Sequence, residues 1–289
     1  MESTLLISRN GFSAVNFFKR VGPFVAFQGR CRVDAVRTMK PIHELQRLAS
    51  PAPKPQSLAW DGATLWMGSR ETKRIYGIDP TTWAVGAEFM APGTPYGLTA
   101  VGNELRVLCS EGAEDNRVVR RLVPGTGFDA TWGWPCPDDT GSQLSYDGQR
   151  LHVSQWYPKK VIALGADGNA ERVIGVPHGI CGQVFVDGVF YLVTTDAEET
   201  NEYWLTRVEV KSAGSGEAKC EDVARIPFKR GHWRGTARSF GRTTASKTRL
   251  WRLRGWGEGA AGELITQRVC EDLLKVGLVG DPALVGAGL

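Results

Sequence analysis

The stretch that decides the fold is Pro55–Val85, PQSLAWDGATLWMGSRETKRIYGIDPTTWAV. It opens with a short apolar strand carrying Leu58 and Trp60. Asp61-Gly62 follows, a dipeptide that favours a tight hairpin. Thr64 to Met67 reads as a second strand, Ser69 to Lys73 as a polar loop, and Arg74 to Ile78 as a third strand. Asp79-Pro80 then turns the chain into a fourth, from Trp83 to Phe89.

The same grammar recurs along the chain. Pro95-Tyr96-Gly97-Leu98 leads to a turn at Gly102-Asn103 and the strand Leu105–Leu108. Ser142-Gln143-Leu144 leads to Asp147-Gly148 and Leu151–Ser154, and Pro177-His178-Gly179-Ile180 leads to Asp187-Gly188 and Phe190–Val193. Turns at positions 61, 102, 147 and 187 are 41, 45 and 40 residues apart. A four-stranded unit repeating every ~40–45 residues is the period of a β-propeller blade, whereas a sandwich or single barrel predicts strands without that echo. Four units occupy 55–228, and His232-Trp233-Arg234-Gly235 resembles another opening. The expected fold is all-β: a five-bladed propeller of four-stranded blades, with residues 41–49 supplying an outer strand to the last.

Composition agrees with many short strands joined by turns. The 289 residues include 35 Gly and 10 Trp, and 42% are hydrophobic, which excludes disorder and collagen-like repeats. No apolar run approaches the ~20 residues of a membrane span. The net charge of +4 divides unevenly. Residues 1–38 carry 6 basic and 2 acidic groups, residues 39–228 carry 18 and 24, and residues 229–289 carry 11 and 5. The six cysteines form no CxxC pair and the four histidines no HxH or HxxxH, so neither a disulfide scaffold nor a zinc site is expected. Cys109 and Cys181 read as small buried hydrophobes. The start, MESTLLISRNGF, makes a poor secretory signal, and a cytoplasmic location is the default expectation.

Three segments follow. Residues 1–38 read as an extension outside the domain, with Met39 near its start; 39–235 is the propeller; 236–289 is an Arg/Gly-rich tail. The fifth blade fails after Gly235, where TARSFGRTTASKTRLWRLRGWGEG lacks the hairpin dipeptide and the alternating strand. One reading is a solvated basic tail, another a nucleic-acid arm. A third is a shifted reading frame: moving back one base from Phe240 permits a Trp, a polar loop and a Val-Ala-apolar-Ala strand, as in the intact blades.

In a propeller, the loops before the first strand and after the second gather at one mouth of the axial channel. The blade openings and inner strands place Gln56, Tyr96, Gln143, His178, Gln183 and Trp233 there. The loops after the second strands add Arg70, Glu71, Glu111, Gln155, Trp156 and Asp196. Polar groups converging beside aromatics suit a small molecule or a peptide end. Glu71, Glu111 and His178 are the acid/base candidates. No cofactor is indicated; Glu71, Glu111 and Asp196 form the weak case for a carboxylate ring around Ca²⁺, without a supporting DxDxDG string. The Trp132–Pro137 segment, WGWPCP, packs a blade edge or offers an aromatic platform.

The strings AWDGxxLW (59–66), IDPTT (78–82) and PxGL (95–98) resemble those of five-bladed propellers of the glutamine cyclotransferase type, and more distantly YVTN and SMP-30-like propellers. The resemblance spans roughly 40–235 and implies the fold. That family opens with Thr-Gln-Gly-Leu and continues with Leu-Tyr-Glu-Ser-Thr-Gly, whose Glu shuttles a proton. The corresponding stretches here are Pro55-Gln56-Ser57-Leu58 and Leu65-Trp66-Met67-Gly68-Ser69-Arg70. Gln56 and Leu58 match, but Met67 stands in place of the Glu, and a thioether cannot move a proton. The expected function is therefore ligand binding at the mouth. A cyclotransferase-like or lactonase-like enzyme and a protein-interaction scaffold are the alternatives.

Overall fold

The computed structural model describes residues 50–197, 202–210 and 218–226 in full, together with the backbone of strands at 32–33, 40–41, 43–49 and 249–254. Three strands precede the repeat: β1 (Arg32–Val33), β2 (Lys40–Pro41) and β3 (His43–Ala49). Blade 1 holds β4 (Pro55–Trp60), β5 (Leu65–Ser69), β6 (Arg74–Ile78) and β7 (Val85–Met90). Blade 2 holds β8 (Thr94–Val101), β9 (Glu104–Glu111), β10 (Asn116–Val123) and β11 (Gly127–Pro135). Blade 3 holds β12 (Leu144–Tyr146), β13 (Leu151–Gln155), β14 (Lys160–Leu164) and β15 (Ala170–Gly175). Blade 4 holds β16 (Gly179–Val186), β17 (Val189–Thr195), β18 (Tyr203–Val210) and β19 (Ala218–Ile226), and β20 (Arg249–Arg254) comes last. Each blade is an antiparallel meander, and the chain is an all-β propeller.

Among the described residues there are four such blades rather than the five expected. The remaining strands divide between two places. β1 and β2 pair in parallel with the outer edge of β19, and β3 pairs antiparallel with β20, from Ala49 opposite Arg249 to His43 opposite Arg254. Among the described residues, 43–49 pair with β20 alone in a two-stranded sheet, rather than as the outer strand of a four-stranded last blade expected for 41–49, and the Arg-rich tail contributes a strand where none was expected. The blade opening proposed at His232 to Gly235, Trp233 included, lies outside the described residues, as does most of 1–38 and 236–289.

The hairpin dipeptides work through their aspartates as well as their glycines. Asp61 Oδ1 accepts from the backbone N–H of Ala63 (2.8 Å) and Thr64 (2.7 Å), and Gly62 takes φ +104°. Asp61 Oδ2 also accepts the indole N–H of Trp66 at 2.6 Å, which fixes the first large side chain of the next strand. Asp147 repeats the arrangement in blade 3, accepting from Gln149 (2.7 Å) and Arg150 (2.6 Å). Five residues on, where blade 1 has Trp66, blade 3 has His152, whose Nε2 lies 3.7 Å from Asp147 Oδ2.

Alternation along each strand sends side chains into the seams between blades. Ala59, Trp66 and Ile75 of blade 1 meet Leu98, Leu105 and Val107 of blade 2. Leu108 and Val119 meet Leu144, Val153 and Ile162 of blade 3. Val161 and Ile174 meet Ile180, Phe190 and Leu192 of blade 4. Each such leucine or isoleucine, fully buried, stabilises by about 1.5–3 kcal/mol. The two end faces are apolar and buried as well: Leu58, Leu65, Met67 and Ile78 on blade 1, and Val184, Tyr191, Val193 and Leu205 on blade 4. The inner strands of blades 2 and 3 touch backbone to backbone. A Cβ on Gly97 would fall 2.7 Å from the Leu144 nitrogen and 2.8 Å from Gln143 carbons. Trp132 and Trp134 pack a blade edge, with Arg106 over Trp132 at 4.8 Å and Trp134 against Gly168.

Candidate functional site

The inner strands of blades 1, 2 and 4 carry an irregularity near their starts. An extra residue bulges from β4 between Pro55 and Ser57, from β8 between Pro95 and Leu98, and from β16 between Ile180 and Gly182. Bulges re-aim side chains. Gln56 and Tyr96 occupy two of these positions, both half-buried.

Around Tyr96 a cationic group assembles that the sequence only half disclosed. The Arg70 guanidinium, from the β5–β6 loop, lies over the Tyr96 ring at 4.6 Å, and its Nη2 donates to the Tyr96 hydroxyl at 3.0 Å. Arg117, at the start of β10, stacks on the same ring at 3.8 Å. Its Nε donates to the Gly141 carbonyl at 3.2 Å, tying blade 2 to blade 3, and its Nη1 pairs with Asp115 at 2.7 Å. Asp115 is also bonded to the Ser110 hydroxyl. Arg117 first, and Ser110 after it, hold the Asp115 carboxyl below its usual range against the opposing effect of burial.

A second cluster sits where blades 3 and 4 meet. His178 precedes β16, and its ring stacks on Trp204 at 4.8 Å and 21°. Its Nδ1 lies 2.9 Å from Asp196 Oδ1 and its Nε2 3.1 Å from Asp222 Oδ2. Lys159 reaches Asp196 at 3.2 Å and the Pro177 carbonyl at 3.2 Å, while the Thr206 hydroxyl donates to Asp222 at 2.7 Å. The hydrogen bond to Asp222 raises the His178 pKa; burial opposes it and Asp196 adds to it. Burial pushes Asp222 up, but the bonds from His178 and Thr206 outweigh it and leave that carboxyl below its usual range. When protonated, the ring donates to both carboxylates, and that form leaves no lone pair for a general base.

The other acid/base candidates also have charged partners. Glu71 is exposed and pairs with Lys54 at 2.9 Å. Glu111 accepts two bonds from Arg120, at 2.8 and 2.6 Å, a bidentate pair that raises the Arg120 pKa. Met67, standing where the cyclotransferase family has its Glu, is fully buried in the apolar end face of blade 1. Glu71, Glu111 and Asp196 each have their own cation, and among the described residues no group of three metal-ligating side chains forms.

Gln183 is not at the mouth. It lies mid-strand, 1% exposed, donating to the Ser145 hydroxyl (2.7 Å) and the His152 carbonyl (3.0 Å) of blade 3. Pairing with Leu192, it occupies the place held by Leu58, Leu98 and Leu144 in the other blades. Gln143 is buried beside Gly97. Trp156, from the β13–β14 loop, remains half-exposed, with its ring flat on the backbone of Gly179. Arg117, Asp115, Trp204 and Asp222 escaped the sequence reading. Cys109 and Cys136 are buried thiols pushed up to about 12 by desolvation, and Cys220 is disulfide-bonded.

No family model matches the chain, and no curated protein sequence matches it. Among solved structures, hydrazine synthase of Kuenenia stuttgartiensis aligns at 14% identity with a TM-score of 0.44, covering 62% of this chain and 51% of its own. Glutaminyl cyclase of Myxococcus xanthus aligns at 11% identity with a TM-score of 0.40, over 53% of this chain and 91% of its own. Virginiamycin B lyase of Staphylococcus aureus aligns at 15% identity with a TM-score of 0.41, over 59% and 57%. The chain thus spans about half the length of the hydrazine synthase chain. Likeness at this level carries neither substrate nor chemistry, and the propeller fold rests on the chain's own four repeated blades.

Proposed function

We infer that this protein is a non-catalytic propeller that binds a small molecule or a peptide end at the channel mouth beside Tyr96 and Trp156. The observation that carries this reading is the commitment of every acid/base candidate. Glu71, Glu111 and His178 are each held by a charged partner, whereas Arg70 bonds a neutral hydroxyl at the mouth. A catalytic acid or base needs a free position toward the reacting atom. A binding site needs fixed donors and aromatic faces.

The same reading assigns a fifth blade. Apolar end faces on blades 1 and 4 both require a cover, and β3 paired with β20 supplies the first two strands of one. In this account β3 and β20 belong to the same ring as the four blades. No helix of the described residues is long and apolar enough to cross a membrane.

The test is a thermal-stability screen of the full chain against small metabolites and short peptides. A stabilising ligand that the protein leaves chemically unchanged, and whose effect is lost in Trp156→Ala, is the expected result. Turnover of a glutaminyl peptide or a lactone, abolished by Glu71→Gln, would replace binding with catalysis.

A further inference from the structure

Three segments bring cationic and aromatic groups together at the seam of blades 1 and 2: the β5–β6 loop with Arg70, the bulge of β8 with Tyr96, and the start of β10 with Arg117. Two guanidinium groups on one phenol ring repel each other. Among the described residues, Asp115 is the carboxylate of this group; it pairs with Arg117, and its charge also acts on Arg70. Counting Arg70, Arg117 and Asp115, the group carries a net charge of +1. Arg70 has five N–H donors, and among the described residues its side chain makes one hydrogen bond, to the Tyr96 hydroxyl. The neighbouring carboxylates are already engaged, Glu71 by Lys54 and Glu111 by Arg120.

The ring also fixes the guanidinium before any ligand arrives. A stacked, hydrogen-bonded arginine has given up much of its rotamer freedom, which lowers the entropic cost of binding. Its planar fork matches the two oxygens of a carboxylate. We propose that Arg70, braced by Tyr96 and Arg117, is the subsite that receives a terminal carboxylate of the ligand. The carboxylate belongs to a peptide C-terminus or to a small organic acid. This rests on the binding reading above and narrows it to the chemistry of one end of the ligand.

The test uses the full chain and two matched pools of short N-acetylated peptides, one with free carboxyl ends and one with C-terminal amides. Succinate and inorganic phosphate serve as competitors. Free acids are expected to bind about tenfold more tightly than their amides. That preference disappears in Arg70→Gln and returns only in part in Arg70→Lys, which restores the charge without the fork. Arg74→Gln, which removes an exposed partner of Glu88, controls for net charge and keeps the preference. Displacement by succinate assigns the site to carboxylates from small molecules as well as peptides, and displacement by free-acid peptides alone assigns it to peptide ends. Stronger displacement by phosphate than by succinate overturns the carboxylate assignment. Equal binding of acids and amides, still lost in Trp156→Ala, overturns this subsite and leaves mouth binding standing. Failure of every peptide and of succinate to bind removes both.

Discussion

His152 makes the stability of the whole ring depend on pH between about 6.5 and 4. The side chain is 5% exposed, stacked on Phe185 at 5.9 Å and edge-on to Phe190 at 4.9 Å. Desolvation lowers its pKa from 6.5 to about 4, with Asp147 pulling the other way. A folded-state pKa below the unfolded value means that the unfolded chain takes up the proton first as pH falls. Stability is therefore intact at neutral pH, declines below 6.5 and levels off near 4. At 1.36 kcal/mol per pH unit the full loss is about 3 kcal/mol, of which about 2 kcal/mol has gone by pH 5. Urea unfolding of the full chain at pH 7, 6 and 5, followed by tryptophan fluorescence, measures this against His152→Phe. Other titrating groups are common to both proteins and cancel in the difference. Between pH 7 and pH 5 the wild type should lose about 2 kcal/mol more than His152→Phe. Parallel curves would show that the histidine is charged in the native state, and would refute the argument.

His178 has the opposite sign. Its pKa is raised, so its contribution is complete below 6.5 and lost as pH rises through the folded value, and the stability gap between wild type and His178→Gln should narrow at alkaline pH. Asp61→Ala removes two turn bonds and the Trp66 indole bond and should cost about 1–2 kcal/mol in urea unfolding, whereas Asp61→Asn, which keeps an acceptor oxygen, should cost less. Gly97→Ala drives a Cβ into the backbone of Leu144 and should destabilise by about 2 kcal/mol or more, a loss that calorimetry would register as a lower Tm. Cys109 and Cys136, buried with pKa values pushed up to about 12, should resist a thiol reagent in the native protein and react once it is unfolded.

The blades were legible in the sequence because their determinants are local. Asp-Gly dipeptides at 61, 147 and 187 mark hairpins whichever neighbours they have, and their spacing gives the period. The site was less legible because its members meet across blades. Tyr96 could be assigned to the mouth from PYGL, but nothing near it in sequence announces Arg117. His178 looks like a free turn histidine until Asp196, Trp204 and Asp222, up to 44 residues away, close on it. Gln183 was misplaced for a different reason. Pro177-His178-Gly179-Ile180 reads as the counterpart of Pro95-Tyr96-Gly97-Leu98 but sits three residues ahead of it in the blade. Gln183 opposite Leu192, not Ile180, stands where Leu98 opposite Val107 does, so a glutamine counted toward the mouth lands in the row of core leucines.

The pairing of β3 with β20 joins residues 43–49 to residues 249–254. On the ribosome, the first partner emerges about 200 residues ahead of the second, a delay of roughly 10–40 s at ordinary elongation rates. Blade 4 ends at Ile226, 23 residues before Arg249, so all four blades are complete for about the last 1–5 s of that interval. During synthesis the nascent chain therefore carries four finished meanders and a strand with no mate. Its window of vulnerability to aggregation is set by translation speed, and slow codons before Arg249 would lengthen it.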